Sequence, residues 1–295
     1  MSPDIEDTPQ QRALRHVTAR STGGPIDPRL RLTLNFHPDR TARGRPVLHG
    51  LAEEGLYRSQ FVTGTGAGSL SAHPGGDRWR WESRMFGGAY DDAPGHERPV
   101  YGAVDFRGLP GGGAPRFGSS YLRLTADTVE RATFCYPDSC TEPEDFGVAG
   151  RFALLPLAER EDLGPLDGHI EAHLHGPVRL DRDVEALVLD SCYRGTQVEE
   201  DARRLPCPLE WHPGFRITVD VLRRRPDFRG PEFVALGEEI AEDGLLDARI
   251  IGDAERSGRY HPQDLKRVWH YVAHFGAPQA TSPAPAPAPA ALAMP

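Results

Sequence analysis

The sequence is poor in lysine and lacks a long hydrophobic run. Lys266 is the only lysine, so arginine supplies almost all of the positive charge. No apolar stretch reaches the roughly eighteen residues that a membrane-spanning helix needs, and no basic and apolar leader is evident near the first residue. We therefore expect a cytoplasmic protein that has no membrane partner.

Several binding motifs are also missing. The four cysteines are too few and too irregularly spaced for a disulfide scaffold, and no CxxC pair is present. Cys135 and Cys140 have no histidine beside them in sequence, which favours structural thiols over nucleophiles. The formal net charge of -9 argues against general nucleic-acid binding. The Gly-rich segments TGTGAGS and GLPGGGAP lack the GK[ST] ending and the strand-GxGxxG-helix context, which excludes a phosphate loop and a Rossmann site.

Short extended runs between turns alternate with helical patterns, and this predicts an α+β fold. We expect a mixed, mostly antiparallel split sheet flanked by helices. The expected parts are an N-terminal helical extension over 1–29, an α+β core over 30–220, a helical segment packed on that core over 221–277, and a disordered Pro/Ala tail over 278–295.

The segment GHIEAHLHG, over 168–176, is the most informative part of the chain. Its apolar and polar side chains alternate, which predicts a half-buried strand. The apolar side would carry Ile170, Ala172 and Leu174, and the polar side His169, Glu171, His173 and His175. A carboxylate among histidines is costly to keep on one face unless it binds a ligand or titrates. Glu171 is therefore the leading candidate for chemistry.

Three short motifs occur in a recognisable order: Tyr57-Arg58, Phe117 to Ser120, and Ile170-Glu171. This order resembles the Arg-Ser-Glu signature of the ADP-ribosyltransferase superfamily. The resemblance implies an NAD-binding catalytic core of that superfamily's α+β type, with NAD as the substrate. It also implies that the nicotinamide–ribose bond is cleaved.

The chemistry of NAD suggests a role for each residue. The guanidinium of Arg58 would bind the pyrophosphate, and the Glu171 carboxylate would stabilise the oxocarbenium-like state. Ser119 or Ser120 would hydrogen-bond both the ribose and Glu171. We expect Gln60 and Tyr121, which lie close to these residues in sequence, to contribute to NAD binding as well.

The acceptor is left open by a departure from the superfamily pattern. Transferases of this type usually carry Glu or Gln two residues before the catalytic glutamate, and here His169 occupies that position. His169 could act as a general base toward water or a target side chain. Together with His173, it could also tune Glu171 or contact the acceptor. Both ADP-ribosyl transfer, to a protein or another acceptor, and simple NAD hydrolysis therefore fit the sequence.

Two other classes of function also fit. His169, His173 and His175 have a spacing that could gather imidazoles around zinc in a hydrolase, with His37 and Asp39 of the HPDR turn as further ligands. Alternatively, the histidine face could be the partner surface of a non-catalytic interaction protein, which would bind no NAD. The chain also resembles an uncharacterised bacterial domain family through HPDR, YRSQF, RFGS and LVLDSCYRGT. That likeness implies no activity.

Overall fold

A computed structural model describes residues 7–64 and 71–278 of the chain. Most of the Gly-rich segment TGTGAGS, and the Pro/Ala tail from residue 279 onward, lie outside the described residues. The helices are α1 (Pro9–Arg20), α2 (Val47–Glu54), α3 (Gln60–Thr63), α4 (Asp77–Met85), α5 (Leu154–Glu161), α6 (Gly164–Asp167), α7 (Gln197–Ala202), α8 (Val219–Arg223), α9 (Pro231–Ile240), α10 (Ala248–Arg256) and α11 (Pro262–Phe275). Among these described helices, none has the length and apolarity needed to cross a bilayer.

The strands are β1 (Leu32–Phe36), β2 (Thr41–Ala42), β3 (Arg45–Pro46), β4 (Leu56–Tyr57), β5 (Val100–Val104), β6 (Ser120–Leu124), β7 (Ala132–Tyr136), β8 (Asp145–Val148), β9 (Glu171–Leu174), β10 (Val178–Arg179), β11 (Val184–Asp190), β12 (Leu209–His212), β13 (Arg216–Thr218) and β14 (Leu245–Asp247). The main sheet has eight strands in the order β12-β11-β6-β1-β5-β9-β7-β8. Only the β11/β12 pair is parallel within it. The predicted α+β class, with a mixed and mostly antiparallel sheet, is confirmed.

Local sequence accounts for most of these elements. Thr8 caps α1, because its side-chain oxygen accepts a hydrogen bond from the Gln11 backbone. The Gln11 side chain in turn accepts a hydrogen bond from the Thr8 backbone N–H. Within the segment LYRSQF, over 56–61, Leu56–Tyr57 pairs with β10, and helix α3 begins at Gln60.

Strand β9 is buried on both sides, so the expectation of a half-buried strand is wrong. Ile170 and the apolar residues of β9 pack in the largest core cluster. The other side is covered by aromatic residues at and beyond the end of α4. The ring centroid of Phe86 lies 5.3 Å from those of both His173 and His175, and Tyr90 stacks on His175. The histidine face is thus an internal polar layer.

The C-terminal helices form a second core cluster that packs against the sheet. Phe215 and Ile217 already belong to it, so this cluster begins before residue 221. Trp269 of α11 reaches back to the first half of the chain, because its indole Nε1 donates to the Pro115 carbonyl at 2.9 Å. This contact holds α11 against the segment that connects β5 to β6.

Helix α4 carries a buried ion pair that fixes it against β5. Arg98 Nη1 lies 2.7 Å from Glu82 Oε2, and both side chains are almost fully buried. Tyr101 donates a further hydrogen bond to Glu82 at 3.0 Å. Removal of Arg98 would leave the buried Glu82 carboxylate without a compensating positive charge, which would destabilise the fold.

Replacing Arg98 with Met should lower the free energy of unfolding by about 3–5 kcal/mol, because Glu82 would be left buried without its cation. Urea unfolding at neutral pH measures this loss. Arg45→Met removes the surface pairs with Glu53 and Glu54 and should cost less than about 1 kcal/mol. Equal losses for the two variants would contradict the role of the buried pair.

Candidate functional site

Glu171 has one carboxylate oxygen held by hydrogen bonds and one that has no partner among residues 7–64 and 71–278. Its Oε1 accepts a hydrogen bond from His173 Nε2 at 2.9 Å and from the Ser139 backbone at 3.3 Å. Its Oε2 accepts no hydrogen bond from any described residue, and Glu171 lines a cleft of about 770 Å³. The carboxylate is therefore oriented by the protein on one side and available to a ligand on the other.

A chain of buried hydrogen bonds extends from Glu171 away from the cleft. His173 Nδ1 lies 3.1 Å from Thr133 Oγ1, which lies 3.0 Å from His175 Nε2. The Tyr90 hydroxyl completes the chain at 2.7 Å from His175 Nδ1. All five side chains are buried. Each polar group of the chain is hydrogen-bonded to the next, so His173 and His175 are buried without leaving their ring nitrogens unpaired.

The protonation of the layer follows from this packing. Burial alone would raise the pKa of Glu171, but the His173 hydrogen bond and charge, then the charge of Arg78, outweigh burial and lower that pKa to about 2. Burial, followed by the charges of His173 and Arg131, lowers the pKa of His175 to about 3. At neutral pH, Glu171 is therefore a carboxylate and His175 is a neutral link in the chain.

His169 lies outside the hydrogen-bond chain. It is buried, its ring packs edge-on against Phe117 at 5.3 Å, and neither of its ring nitrogens has a hydrogen-bond partner. Burial lowers its pKa, although the nearby Asp138 and Glu171 charges oppose this. Neither His169 nor His173 is among the residues that line the cleft. The structure therefore does not bring either imidazole to a position where it would contact an acceptor directly.

The cleft beside Glu171 has a volume of about 770 Å³ and a strongly basic lining. It lies between the α2–α3 region, the sheet and helix α11. Its cationic residues are Arg40, Arg43, Arg45, Arg58, Arg78, Arg116 and Lys266, and its acidic residues are Glu54, Glu171 and Glu255. A positive cleft in a chain with a net charge of -9 indicates an anionic ligand.

Two predicted NAD-binding residues lie in this cleft with Glu171. Arg58 lines it, but Arg58 Nε already donates to Glu54 Oε2 at 2.8 Å, and the side chain is 36% exposed. Gln60 also lines it, and Gln60 Oε1 is buried without a hydrogen-bond partner. The structure thus brings Arg58, Gln60 and Glu171 to one site, with Arg58 at its exposed edge.

The other predicted NAD-binding residues do not line the cleft. Ser120 Oγ accepts a hydrogen bond from the Asp190 backbone at 3.0 Å. The Ser119 carbonyl is hydrogen-bonded to His212 Nε2, and the Tyr121 ring stacks on the His212 ring. Strand β6 is separated from β9 by β1 and β5, a distance of about 14 Å for three strand spacings. The prediction that Ser119 or Ser120 hydrogen-bonds Glu171 is therefore wrong.

The predicted set of three zinc-binding histidines is not formed either. His175 is turned toward Thr133 and Tyr90, and His169 lies against Phe117. The described residues do contain one group that could hold a metal: donor atoms of Cys135, Glu171 and His173 lie within 4.8 Å of one another.

This group is poorly prepared for zinc. Cys135 is fully buried, and burial, then the charge of Glu171, raises its thiol pKa. Cys135 Sγ lies 3.9 Å from both Glu171 Oε1 and His173 Nε2, and those two atoms are hydrogen-bonded to each other.

Sequence reasoning missed Arg78 and the covering aromatic residues. Arg78 directly precedes the aromatic segment WRWESRMF, most of which lies in α4. Arg78, Glu82 and Met85 recur at the helical spacing of one face, and all three are buried. That periodicity was the available signal that two charged residues share the buried side of α4.

The chain belongs to the family described as "Protein of unknown function (DUF3626)". The match covers residues 31–158 and 153–274, which together include β9, the cleft residues and helix α11. No curated protein matches the chain. The function must therefore be inferred from the site itself.

Binding of an anion in the cleft should weaken at alkaline pH because of Lys266. Burial, then the charges of Arg116 and Arg267, lowers the pKa of this lysine to about 8. Its positive charge is present below that pH and is lost above it. The dissociation constant of ADP-ribose, measured by calorimetry, should therefore rise by about 3- to 10-fold between pH 7 and pH 9.5.

The Lys266→Arg variant is the matched control, because a guanidinium keeps its charge throughout this pH range. Its affinity should stay nearly constant from pH 7 to pH 9.5. The same pH dependence in both proteins would show that another group titrates.

Proposed function

We propose that this protein cleaves the nicotinamide–ribose bond of NAD, as a mono-ADP-ribosyltransferase or an NAD glycohydrolase. One observation carries this proposal: the charged Glu171 carboxylate lines a basic cleft, its Oε1 is fixed by His173 and Ser139, and its Oε2 has no hydrogen-bond partner among the described residues. Such an oxygen can stabilise positive charge that develops on a ribose.

The bond between the ribose anomeric carbon and the nicotinamide nitrogen breaks heterolytically, and the electron pair leaves with nicotinamide. The anomeric carbon becomes oxocarbenium-like and is stabilised by Glu171. Water or an acceptor group then adds to that carbon and loses a proton. Because the pKa of Glu171 is about 2, we assign it electrostatic stabilisation rather than proton transfer.

The cleft supports a ligand of this kind by size and charge. Its volume of about 770 Å³ is within the usual range of about 300–1,000 Å³ for small-molecule sites. The excess of arginine in its lining favours the phosphate groups of a dinucleotide. Gln60 replaces the serines in our proposal as the residue that accepts a hydrogen bond from a ribose hydroxyl. Its Oε1 is buried and has no hydrogen-bond partner among the described residues.

We further propose a cytoplasmic protein whose partners are NAD and an acceptor of unknown identity. The net charge of -9 disfavours a nucleic-acid or membrane surface as that partner. No described residue of the layer around Glu171 identifies the acceptor, so transfer and hydrolysis are both kept in the proposal.

Incubation of the purified protein with NAD tests this function. Glu171→Gln keeps the size of the side chain but removes its charge, and it should lower the rate of nicotinamide release by at least about 100-fold. Glu144→Gln changes an exposed carboxylate and should leave the rate unchanged. Thermal unfolding establishes that both variants are folded. Absence of nicotinamide release from the wild type, or an unchanged rate in Glu171→Gln, would contradict the proposal.

A zinc-dependent hydrolase is a second candidate, favoured only by the proximity of Cys135, Glu171 and His173. The NAD proposal predicts less than about 0.1 zinc per chain by mass spectrometry and the same nicotinamide release with and without EDTA. One tightly bound zinc that disappears in Cys135→Ser would favour the hydrolase. A protein that binds neither zinc nor NAD would instead fit a non-catalytic interaction role.

A further inference from the structure

Arg78 of α4 is the most unusual cation in the cleft. It is only 6% exposed, yet it lines the cleft with Glu171. Its Nε and Nη1 are buried and have no hydrogen-bond partner in the part of the chain that the structure describes. A buried guanidinium with unsatisfied donors is costly for a protein to keep unless a ligand completes its hydrogen bonds.

The surroundings of Arg78 hold the guanidinium in place without satisfying those donors. Its Cζ lies 4.1 Å from the ring centroid of Tyr101 and 5.4 Å from that of Trp81. Among the described residues, no carboxylate lies within 4 Å of its nitrogens in an ion pair. Aromatic contacts of this kind orient a guanidinium plane but accept no hydrogen bonds from its in-plane donors.

Four of the five other cleft arginines have carboxylate partners, and the fifth, Arg43, is exposed. Arg58 is paired with Glu54, Arg40 with Glu255, and Arg116 with Asp167. An anion that binds to one of these residues must compete with its partner. Binding to Arg78 displaces no carboxylate and supplies the hydrogen bonds that its Nε and Nη1 lack.

We propose that Arg78 is the principal phosphate-binding residue of the cleft, with Nε and Nη1 donating to oxygens of the ligand's pyrophosphate. This rests on the proposed cleavage of NAD and transfers to Arg78 the anchoring role first expected of Arg58. Because Arg78 and Glu171 line the same cleft, one ligand can place its pyrophosphate on Arg78 and its ribose against Glu171. Arg78 is thus a binding residue, and Glu171 is the catalytic one.

Calorimetry with ADP-ribose and with inorganic pyrophosphate tests the inference on the full chain. Arg78→Met keeps an apolar stem for the aromatic contacts but removes the donors, and it should weaken ADP-ribose binding by about 30-fold or more. Arg84→Met is the matched control and should change binding by less than about 3-fold, because Arg84 lies on the same helix but outside the cleft lining, where it pairs with Glu142. Thermal unfolding without ligand establishes that both variants are folded.

A second variant keeps the test decisive if Arg78→Met does not fold. Arg78→Lys retains the charge but cannot donate in bidentate fashion, so it should bind ADP-ribose about 10-fold more weakly than the wild type. Wild-type affinity in either Arg78 variant would overturn the inference. Failure of the wild type to bind either probe would overturn it as well.

The outcomes also separate this inference from the proposed function. Binding of ADP-ribose that depends on Arg78, without nicotinamide release from NAD, would support the phosphate site and reject the catalytic proposal. Nicotinamide release with an unchanged KM for NAD in Arg78→Met would reject the phosphate site alone.

Discussion

The hydrogen bond between His173 Nε2 and Glu171 Oε1 is the interaction on which the candidate site depends. A carboxylate buried between a sheet and a helix would normally be protonated or excluded. Here His173 holds one oxygen at 2.9 Å, and Thr133, His175 and Tyr90 fix the histidine in turn. The result is a charged carboxylate with a fixed direction, and its other oxygen accepts no bond from the described residues.

The basic cleft provides the electrostatic complement to this carboxylate. A lone buried negative charge would repel a phosphate-bearing ligand, but the lining contains more cations than acids. Arg78 contributes to both effects, because its charge lowers the pKa of Glu171 and its buried donors lack partners. The arrangement suits a ligand that is negative at one end and becomes positive at another, as NAD does when its glycosidic bond breaks.

Much of the fold could be predicted from local sequence, because helix caps and strand alternation act within a few residues. The alternation in GHIEAHLHG correctly placed Glu171, His173 and His175 on one side of β9. Their burial could not be predicted, since Tyr90 is 85 residues from His175 in sequence and only tertiary packing brings it there. The predicted hydrogen bond between Ser119 or Ser120 and Glu171 is wrong for a related reason. The order of motifs along the chain does not determine the order of strands in the sheet, where β1 and β5 separate β6 from β9. The lack of described hydrogen-bond partners for Arg78 Nε and Nη1 could not be predicted from the neighbouring sequence, because it depends on how the folded chain packs around the guanidinium.

A crystal structure of the protein with bound ADP-ribose would test the account most directly. We expect the ribose that bears the free anomeric hydroxyl to lie within hydrogen-bond distance of Glu171 Oε2, and the pyrophosphate to contact the Arg78 guanidinium. Density for a metal ion between Cys135, Glu171 and His173, or ADP-ribose bound away from Glu171, would contradict the account.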